Sequence, residues 1–469
     1  MGRRRNQRQR VERSRESTDD YVVRQEDSDR HLVRSSWFPE VTWVGSRFAR
    51  LKPGEGGLVK GSRSMTQSDE KSHDVLLSEL NEIKSQLMPS AQACADVINR
   101  SDEEGNDVTT TTPEFEFREA RTICNPYESL GNRNLKKKKR KSRGGLSQYV
   151  NRSAIKLANI DALSEYSLTS YPHETDRNFV FVDLCGAPGG FSEYIMYRRT
   201  EFSNPSYGFG MSLSGRNSDG VGVKWAVDHL SRYHRNSNEE SMSRGPFYHV
   251  CNGADGTGSI YNWDNVCKLQ HDMTMIAGKN LAELVVADGG FDAQRDNNNQ
   301  ELIAFNLVVS QTAAALTLLR EGGYFVLKMF GFRETGTRRM LNCLYSCFDI
   351  ITFMKPISSR PASAERYLVC GGYAGAKHGW DGLRWREQLI HSQKWTHVSR
   401  NDIDTLPIEA LMDSFDREML QLNIDSCRSI VNYLNEKKDR VELGDNSYTY
   451  ETQRECIDIN SYEEAWDLR

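Results

Sequence analysis

The sequence is poor in what a stapled or metal-bound domain needs. Its ten cysteines are scattered, and the nearest pair, Cys343 and Cys347, has helical rather than zinc-knuckle spacing. That pattern argues against a disulfide framework and a metal site and predicts a reducing compartment. Long hydrophobic runs are also missing: no stretch offers the ~18 consecutive apolar residues of a membrane span. Met1 and Gly2 lead straight into arginines with no apolar signal segment behind them. A soluble, intracellular protein with no membrane partner is expected. Charge of one sign is lacking overall, with a formal net charge of -4, yet it is unevenly spread. Arg3, Arg4, Arg5, Arg8 and Arg10 open the chain, and Lys136, Lys137, Lys138, Lys139, Arg140 and Lys141 form a second block. Such blocks read either as nucleic-acid contacts or as solvated loops and nuclear import signals.

With 38% hydrophobic and 27% charged residues in 469, part of the chain is expected to be unfolded around one large core. Residues 1–70 have no sustained apolar period and are predicted to be disordered, apart from an island at Trp37, Phe38, Trp43 and Val44. Residues 71–112 hold a helix, with Leu76, Leu80, Ile83 and Leu87 about a turn apart, and then an acidic, threonine-rich linker from Ser101 to Thr112. The helix is expected to pack on the core.

Residues 113–375 alternate strand-like and helix-like stretches. Phe179–Leu184, Tyr207–Leu213, Leu284–Ala287 and Tyr324–Met329 are short apolar runs suited to buried strands, the rhythm of an α/β fold with a mostly parallel sheet. Glu301–Arg320 reads as a long apolar helix capped by Gly322 and Gly323. Residues 376–469 return to helical signals, at Ile408–Phe415 and Met419–Leu434.

The most informative stretch is Asp183-Leu-Cys185-Gly186-Ala187-Pro188-Gly189-Gly190-Phe191, placed after a buried strand and before a helix. Glycines let a backbone approach a ligand closely, and the free N–H groups of the helix start suit a carboxylate or phosphate. The spacing does not match the G-x-G-x-x-G of dinucleotide folds. Taken alone, it is also compatible with a tight turn that holds nothing.

The loop from Asp183 to Tyr194 resembles that of the FtsJ/RrmJ-like ribose 2'-O-methyltransferases, within them the eukaryotic cap-1 type. Four further regions fit that family in order: Arg121–Glu128, Asn151–Asp161, Val286-Ala-Asp288-Gly-Gly-Phe291, and Gly323–Phe330 followed by Ser359–Cys370. The likeness runs from about Glu114 to the helices near Leu434. It implies a Rossmann-like methyltransferase fold with helical N- and C-terminal extensions and S-adenosyl-L-methionine as cofactor. The implied reaction is methylation of the ribose 2'-hydroxyl of the first transcribed nucleotide of capped RNA. The same fold also serves ribosomal and transfer RNA methylation, and a catalytically silent RNA-binding scaffold is the reading from another class.

By this resemblance Lys156, Asp288, Lys328 and Glu365 form the catalytic set, with Lys328 as base. Asn151, Cys185, Gly186, Ala187, Pro188, Gly189, Gly190, Phe191, Ser259 and Ile260 line the cofactor pocket, while Arg121, Asn298, Asn299, Gln300 and Ser363 face RNA. Asn297–Gln300 also fits a polar cap of the helix that follows. No metal is implied. A nuclear monomer working near the transcription or capping machinery is expected, or a cytoplasmic one for a viral or cytoplasmic capping system.

Three departures stand out. The G-patch, guanylyltransferase-like and WW modules of animal cap-1 members are not found. The basic loop Leu135–Arg143 interrupts a join that is short in the family. Gly256-Thr-Gly258 replaces acidic residues on the cofactor side, with Asp255 as a substitute. The chemistry itself asks for an acceptor oxygen aligned with a methyl group and for control of one proton. Lys328 ends an apolar strand, an unusual place for a lysine, and Lys156 and Lys328 are expected to lower each other's pKa.

Overall fold

The first strand divides the core in two. β1 (Phe179–Leu184) is buried along its whole length, and successive side chains alternate between faces. Val180, Val182 and Leu184 enter one apolar cluster, whereas Phe179 and Phe181 enter another. The computed structural model describes residues 72–103, 110–125, 149–164, 166–170, 178–202, 204–214, 223–233, 246–290, 299–356, 358–374 and 407–444. Asn298, the basic blocks and the Trp37 island lie outside the described residues.

Six further strands complete the sheet: β2 (Ser206–Met211), β3 (Phe247–Val250), β4 (Ala282–Ala287), β5 (Leu319–Met329), β6 (Phe348–Met354) and β7 (Arg366–Tyr373). Their order is β3-β2-β1-β4-β5-β7-β6. The first five run parallel, and β7 inserts antiparallel between β5 and β6. The longer helices are α1 (His73–Glu103), α2 (Pro113–Cys124), α3 (Ser153–Leu163), α4 (Gly190–Arg199), α5 (Trp263–Ala277), α6 (Gln300–Leu318), α7 (Thr335–Cys347) and α8 (Pro407–Glu442). α5, α6 and α7 cover one face through Leu269, Val308 and Leu341, and α3 and α4 cover the other through Ile155, Leu157 and Ile195. The sequence expectation of a mostly parallel, doubly covered sheet with helical extensions is met.

Two local readings change. Gly322 and Gly323 do not cap α6, which ends at Leu318 and passes directly into β5. Gly322 instead takes φ 77° within that strand, where the register against β4 shifts between Ala282 and Leu284. A residue of positive φ is what a bulge requires. By length and composition alone α6 could cross a membrane. Here Val308, Gln311, Thr312 and Ala313–Ala315 are buried, and it is a core helix of the sheet.

α1, α2 and α8 form a third layer. Leu76 and Leu80 of α1 meet Leu420, Ile424 and Cys427 of α8, and Ala91 and Cys94 meet Ala120, Ile430 and Leu434. α1 therefore packs mainly on other helices rather than on the sheet. The first turns of α8 do reach the central core, through Ile408, Leu411, Met412 and Phe415. α8 is one uninterrupted helix where the sequence suggested two segments.

Candidate active site

Each chemical side chain of the site sits at the same end of the sheet, beyond the carboxyl ends of β1, β4 and β5, the edge where open α/β sheets bind ligands. After β1 the chain turns at Cys185, which adopts φ 58°, and Gly189, φ 105°, starts α4. The Gly189 N–H donates to the Gly186 carbonyl at 2.8 Å. Neighbours leave no room for larger residues: a Cβ on Gly186 would stand 1.9 Å from Asp183 Oδ1, and one on Gly190 2.0 Å from Asn151 Oδ1. Asn151 also accepts the Ser153 N–H at 3.0 Å, which anchors the start of α3 beside the loop.

Asp183 lies under this turn. Its Oδ2 accepts the Ser192 hydroxyl at 2.6 Å, but Oδ1 is buried with no partner among the described residues. Burial pushes its carboxyl up to about 7; the Ser192 hydrogen bond opposes this and Asp288 adds to it. A second wall, Trp225, was missed by sequence reasoning because nothing in its surroundings marks it. Its ring faces Gly189 and Gly210, and the adjacent Ala226 N–H donates to the Pro188 carbonyl at 3.0 Å.

The loop after β3 closes the same end. Cys251 N–H donates to Gly210 at 2.8 Å and Ser214 N–H to Thr257 at 2.7 Å. Ile260 is a member of the central apolar cluster, and the Ser259 carbonyl accepts Asn265 Nδ2 at 3.0 Å. Asp255, the acidic residue suggested as a substitute, is engaged within its own loop. Its Oδ1 accepts the Thr257 N–H and hydroxyl at 2.8 and 2.7 Å and its Oδ2 accepts Asn262 Nδ2 at 2.7 Å, so both oxygens already staple the loop.

Lys156, Asp288, Lys328 and Glu365 are brought together as expected from four separate elements. Lys156 on α3 meets Glu365, just before β7, with Nζ 2.8 Å from Oε1 and 2.9 Å from Oε2. Lys328 on β5 lies 3.2 Å from Asp288 Oδ1 and donates to the Asp288 carbonyl at 2.8 Å. Two residues not foreseen fix the aspartate: the Tyr367 hydroxyl donates to Oδ1 at 3.0 Å and the Ser153 hydroxyl to Oδ2 at 2.8 Å. Tyr367 is the register partner of Lys328 across β5 and β7, a pairing that only the folded sheet creates.

The expected depression of Lys328 is not what this geometry yields. Burial lowers Lys328, but Asp288 and then Glu365 outweigh it and raise its pKa above the ordinary lysine value. Burial likewise raises Glu365, yet Lys156, Lys328 and Lys355 hold it well below the usual carboxylate range. Lys355, which sequence reasoning passed over, is 3% exposed, and burial pushes it down to about 7 against the pull of Glu365.

A cleft of about 580 Å³ opens on the Lys156–Glu365 pair, with Arg118, Arg121, Asn151, Arg152 and Ser363 also in its walls. Arg121 and Ser363 both line this cleft. Arg118, one turn before Arg121, was legible as an i, i+3 neighbour on α2. Asn299 and Gln300 do not line this cleft. They form the start of α6, where the Asn299 carbonyl accepts the Ile303 N–H at 2.9 Å and its side chain makes no capping bond.

This strand order, with an antiparallel β7 beside a glycine-cradled β1 loop, defines a Rossmann-like methyltransferase fold. Residues 149–373 match the family of FtsJ-like methyltransferases. Three relatives are named cap-specific mRNA (nucleoside-2'-O-)-methyltransferase 1. That of Homo sapiens is 31% identical over 358 residues, 74% of this chain and 36% of its own length. That of Danio rerio is 30% identical over 314 residues, 64% of this chain and 34% of its own. That of Drosophila melanogaster is 32% identical over 262 residues, 54% of this chain and 29% of its own. The chain therefore spans about a third of the length of these relatives. Human methyltransferase-like protein 13, solved in complex with SAH, overlaps 55% of this chain and 99% of its own at 14% identity and a TM-score of 0.28, a likeness too low to add to the family match.

Proposed function

We propose that the chain is an S-adenosylmethionine-dependent methyltransferase acting on the ribose 2'-hydroxyl of the first transcribed nucleotide of capped messenger RNA. One observation carries the reading: four elements bring the Lys156–Glu365 and Lys328–Asp288 pairs to the end of the sheet that bears the glycine cradle, and the first pair lines an arginine-rich cleft. The names of the relatives support the capped substrate.

The residues present fit the cofactor. The cradle at Gly186 and Gly190 admits backbone-close approach, and the unpartnered Asp183 Oδ1 lies directly beneath it. Cys185 to Phe191, Asn151 and the Ser259–Ile260 loop would hold it, and when bound it supplies an electrophilic methyl group. The chain does the rest. Lys156 and Lys328 hold the acceptor hydroxyl, and Asp288 and Glu365 fix the two amines in place. Lys328, after it has lost a proton of its own ammonium to solvent, takes the hydroxyl proton. Arg121 and Ser363, with Arg118 and Arg152, meet phosphate and sugar.

Labelled cofactor offered with short capped and uncapped RNAs, followed by nuclease digestion, tests this. Label is expected on the first nucleotide of the capped RNA; equal labelling of uncapped RNA would overturn the capped substrate. We also infer nuclear residence from the Lys136–Lys141 block. Neutral substitution of that block should move a fluorescent fusion out of the nucleus, and an unchanged distribution would remove the inference.

A further inference from the structure

We propose that Lys355 is a positioning residue that orders the Ser359–Glu365 loop and so sets the geometry of the Lys156–Glu365 pair. The proposal rests on the methyl-transfer reading above. Lys355 follows β6 and is buried, and it is not among the residues that line the cleft. Its Nζ donates to the Ser359 hydroxyl at 3.0 Å, to the Ser363 carbonyl at 2.9 Å and to the Glu365 carbonyl at 2.6 Å. Three acceptors use all three protons of an ammonium, whereas a neutral amine has only two to give.

The first of these bonds has a direction. Because Ser359 Oγ accepts from Lys355, its single hydrogen is left to point at Glu365 Oε1, 2.8 Å away. Glu365 Oε1 in turn lies 2.8 Å from Lys156 Nζ. Lys355 therefore acts on Lys156 through Ser359 and Glu365. The same loop is tied to α3 elsewhere: Arg152 donates to the Ser358 carbonyl at 2.9 Å, one turn before Lys156. A buried lysine is a costly way to hold a loop that apolar packing could hold as well. What it adds here is a fixed orientation for the carboxylate that holds Lys156.

Lys355→Met keeps the aliphatic stem and removes the ammonium. It is expected to lower kcat by about 10- to 100-fold, as a small displacement of a reacting group does, while KM for the cofactor and the affinity for S-adenosylhomocysteine stay unchanged. In the Glu365→Gln background it should cost nothing further, because its effect passes through that carboxylate. Acetylation of Lys156, followed by peptide mass spectrometry, should rise several-fold in Lys355→Met, and this readout does not depend on turnover. An inactive unaltered protein would sink the methyl-transfer reading alone. Multiplicative losses in the double variant, unchanged kcat, or unchanged Lys156 acetylation would overturn the proposal. If Lys355→Met loses its cooperative melt, Ser359→Ala removes the relay but keeps the ammonium. It must then show the same kcat loss and the same absence of effect in Glu365→Gln, or the proposal fails.

Discussion

Lys328 carries the sharpest consequence at the scale of single residues. It sits 8% exposed at the end of a buried strand, between its own register partner Tyr367 and Asp288. Lys328→Ala is expected to abolish turnover while calorimetric binding of S-adenosylhomocysteine stays near that of the unaltered protein. Retained turnover would mean that the proton leaves by another route. Because Asp288 and Glu365 outweigh burial and raise its pKa, it begins each cycle as an ammonium. If it is the base, kcat must climb by about tenfold per pH unit below that raised pKa. A flat pH profile would leave it an orienting role only. The four-residue set was legible because each member lies in a distinctive run of sequence. Ser153, Tyr367 and Lys355 were not, since their roles come from contacts across elements, and a lone serine, tyrosine or lysine carries no local mark.

Between elements, the most consequential joint is the one that ties the outer helices to the catalytic strand. Arg366, flanked by Glu365 and Tyr367, forms an ion pair with Asp416 of α8, and His73 at the start of α1 meets the other oxygen of Asp416 at 2.7 Å. Both Arg366 and Asp416 side chains are 4% exposed, and the guanidinium stacks 5.0 Å above Phe332. Removing one partner of such a buried pair costs about 3–5 kcal/mol, so Asp416→Ala should lower the urea midpoint by that equivalent. A loss below ~1 kcal/mol would show the pair to be idle. The sign with pH follows from the carboxyl. Burial raises it, but Arg366 and His73 bring it down to about 2, below the ordinary 3.8. Its stabilisation is therefore fully present above the unfolded pKa and is lost as pH falls through about 2.

The elements themselves were unevenly legible. β1, β2, β4 and β5 announce themselves as apolar runs because both of their faces are covered. β3 has four residues and a half-exposed edge, too short to give a period. β6 and β7 are antiparallel and carry glycines or charges at their ends; β7 pairs with β5 residues 37 to 45 positions away, and β6 pairs with β7 and not with β5. The glycine pair at 322–323 was placed on the wrong element because a bulge and a helix cap make the same demand for positive φ.

For the whole molecule the question is how a chain of net charge -4 engages an anion. Charge is sorted by the fold: α2, α3 and the loop before β7 bring Arg118, Arg121, Arg152 and Arg360 to one cleft. Each phosphate contact to a single strand contributes about 0.7 to the slope of log affinity against log salt. Arg121→Ala should lower that slope by about this amount for capped and uncapped RNA alike, measured by fluorescence anisotropy across a salt series. An unchanged slope would place the phosphates elsewhere.

The sequence by itself determined the parallel α/β core and the glycine-rich turn, because apolar periodicity and a tight turn are written in consecutive positions, while Lys156, Asp288, Lys328 and Glu365 were singled out by the family resemblance. Only the tertiary structure decided which charges face one another. The pKa order, with Lys328 raised rather than lowered, depends on Asp288 and Glu365 arriving from other elements. The buried Lys355 relay and the use of Asp255 as a loop staple depend on contacts of the same kind. Electrostatic interaction varies with distance and burial through space, and neither is a property of a residue's place along the chain.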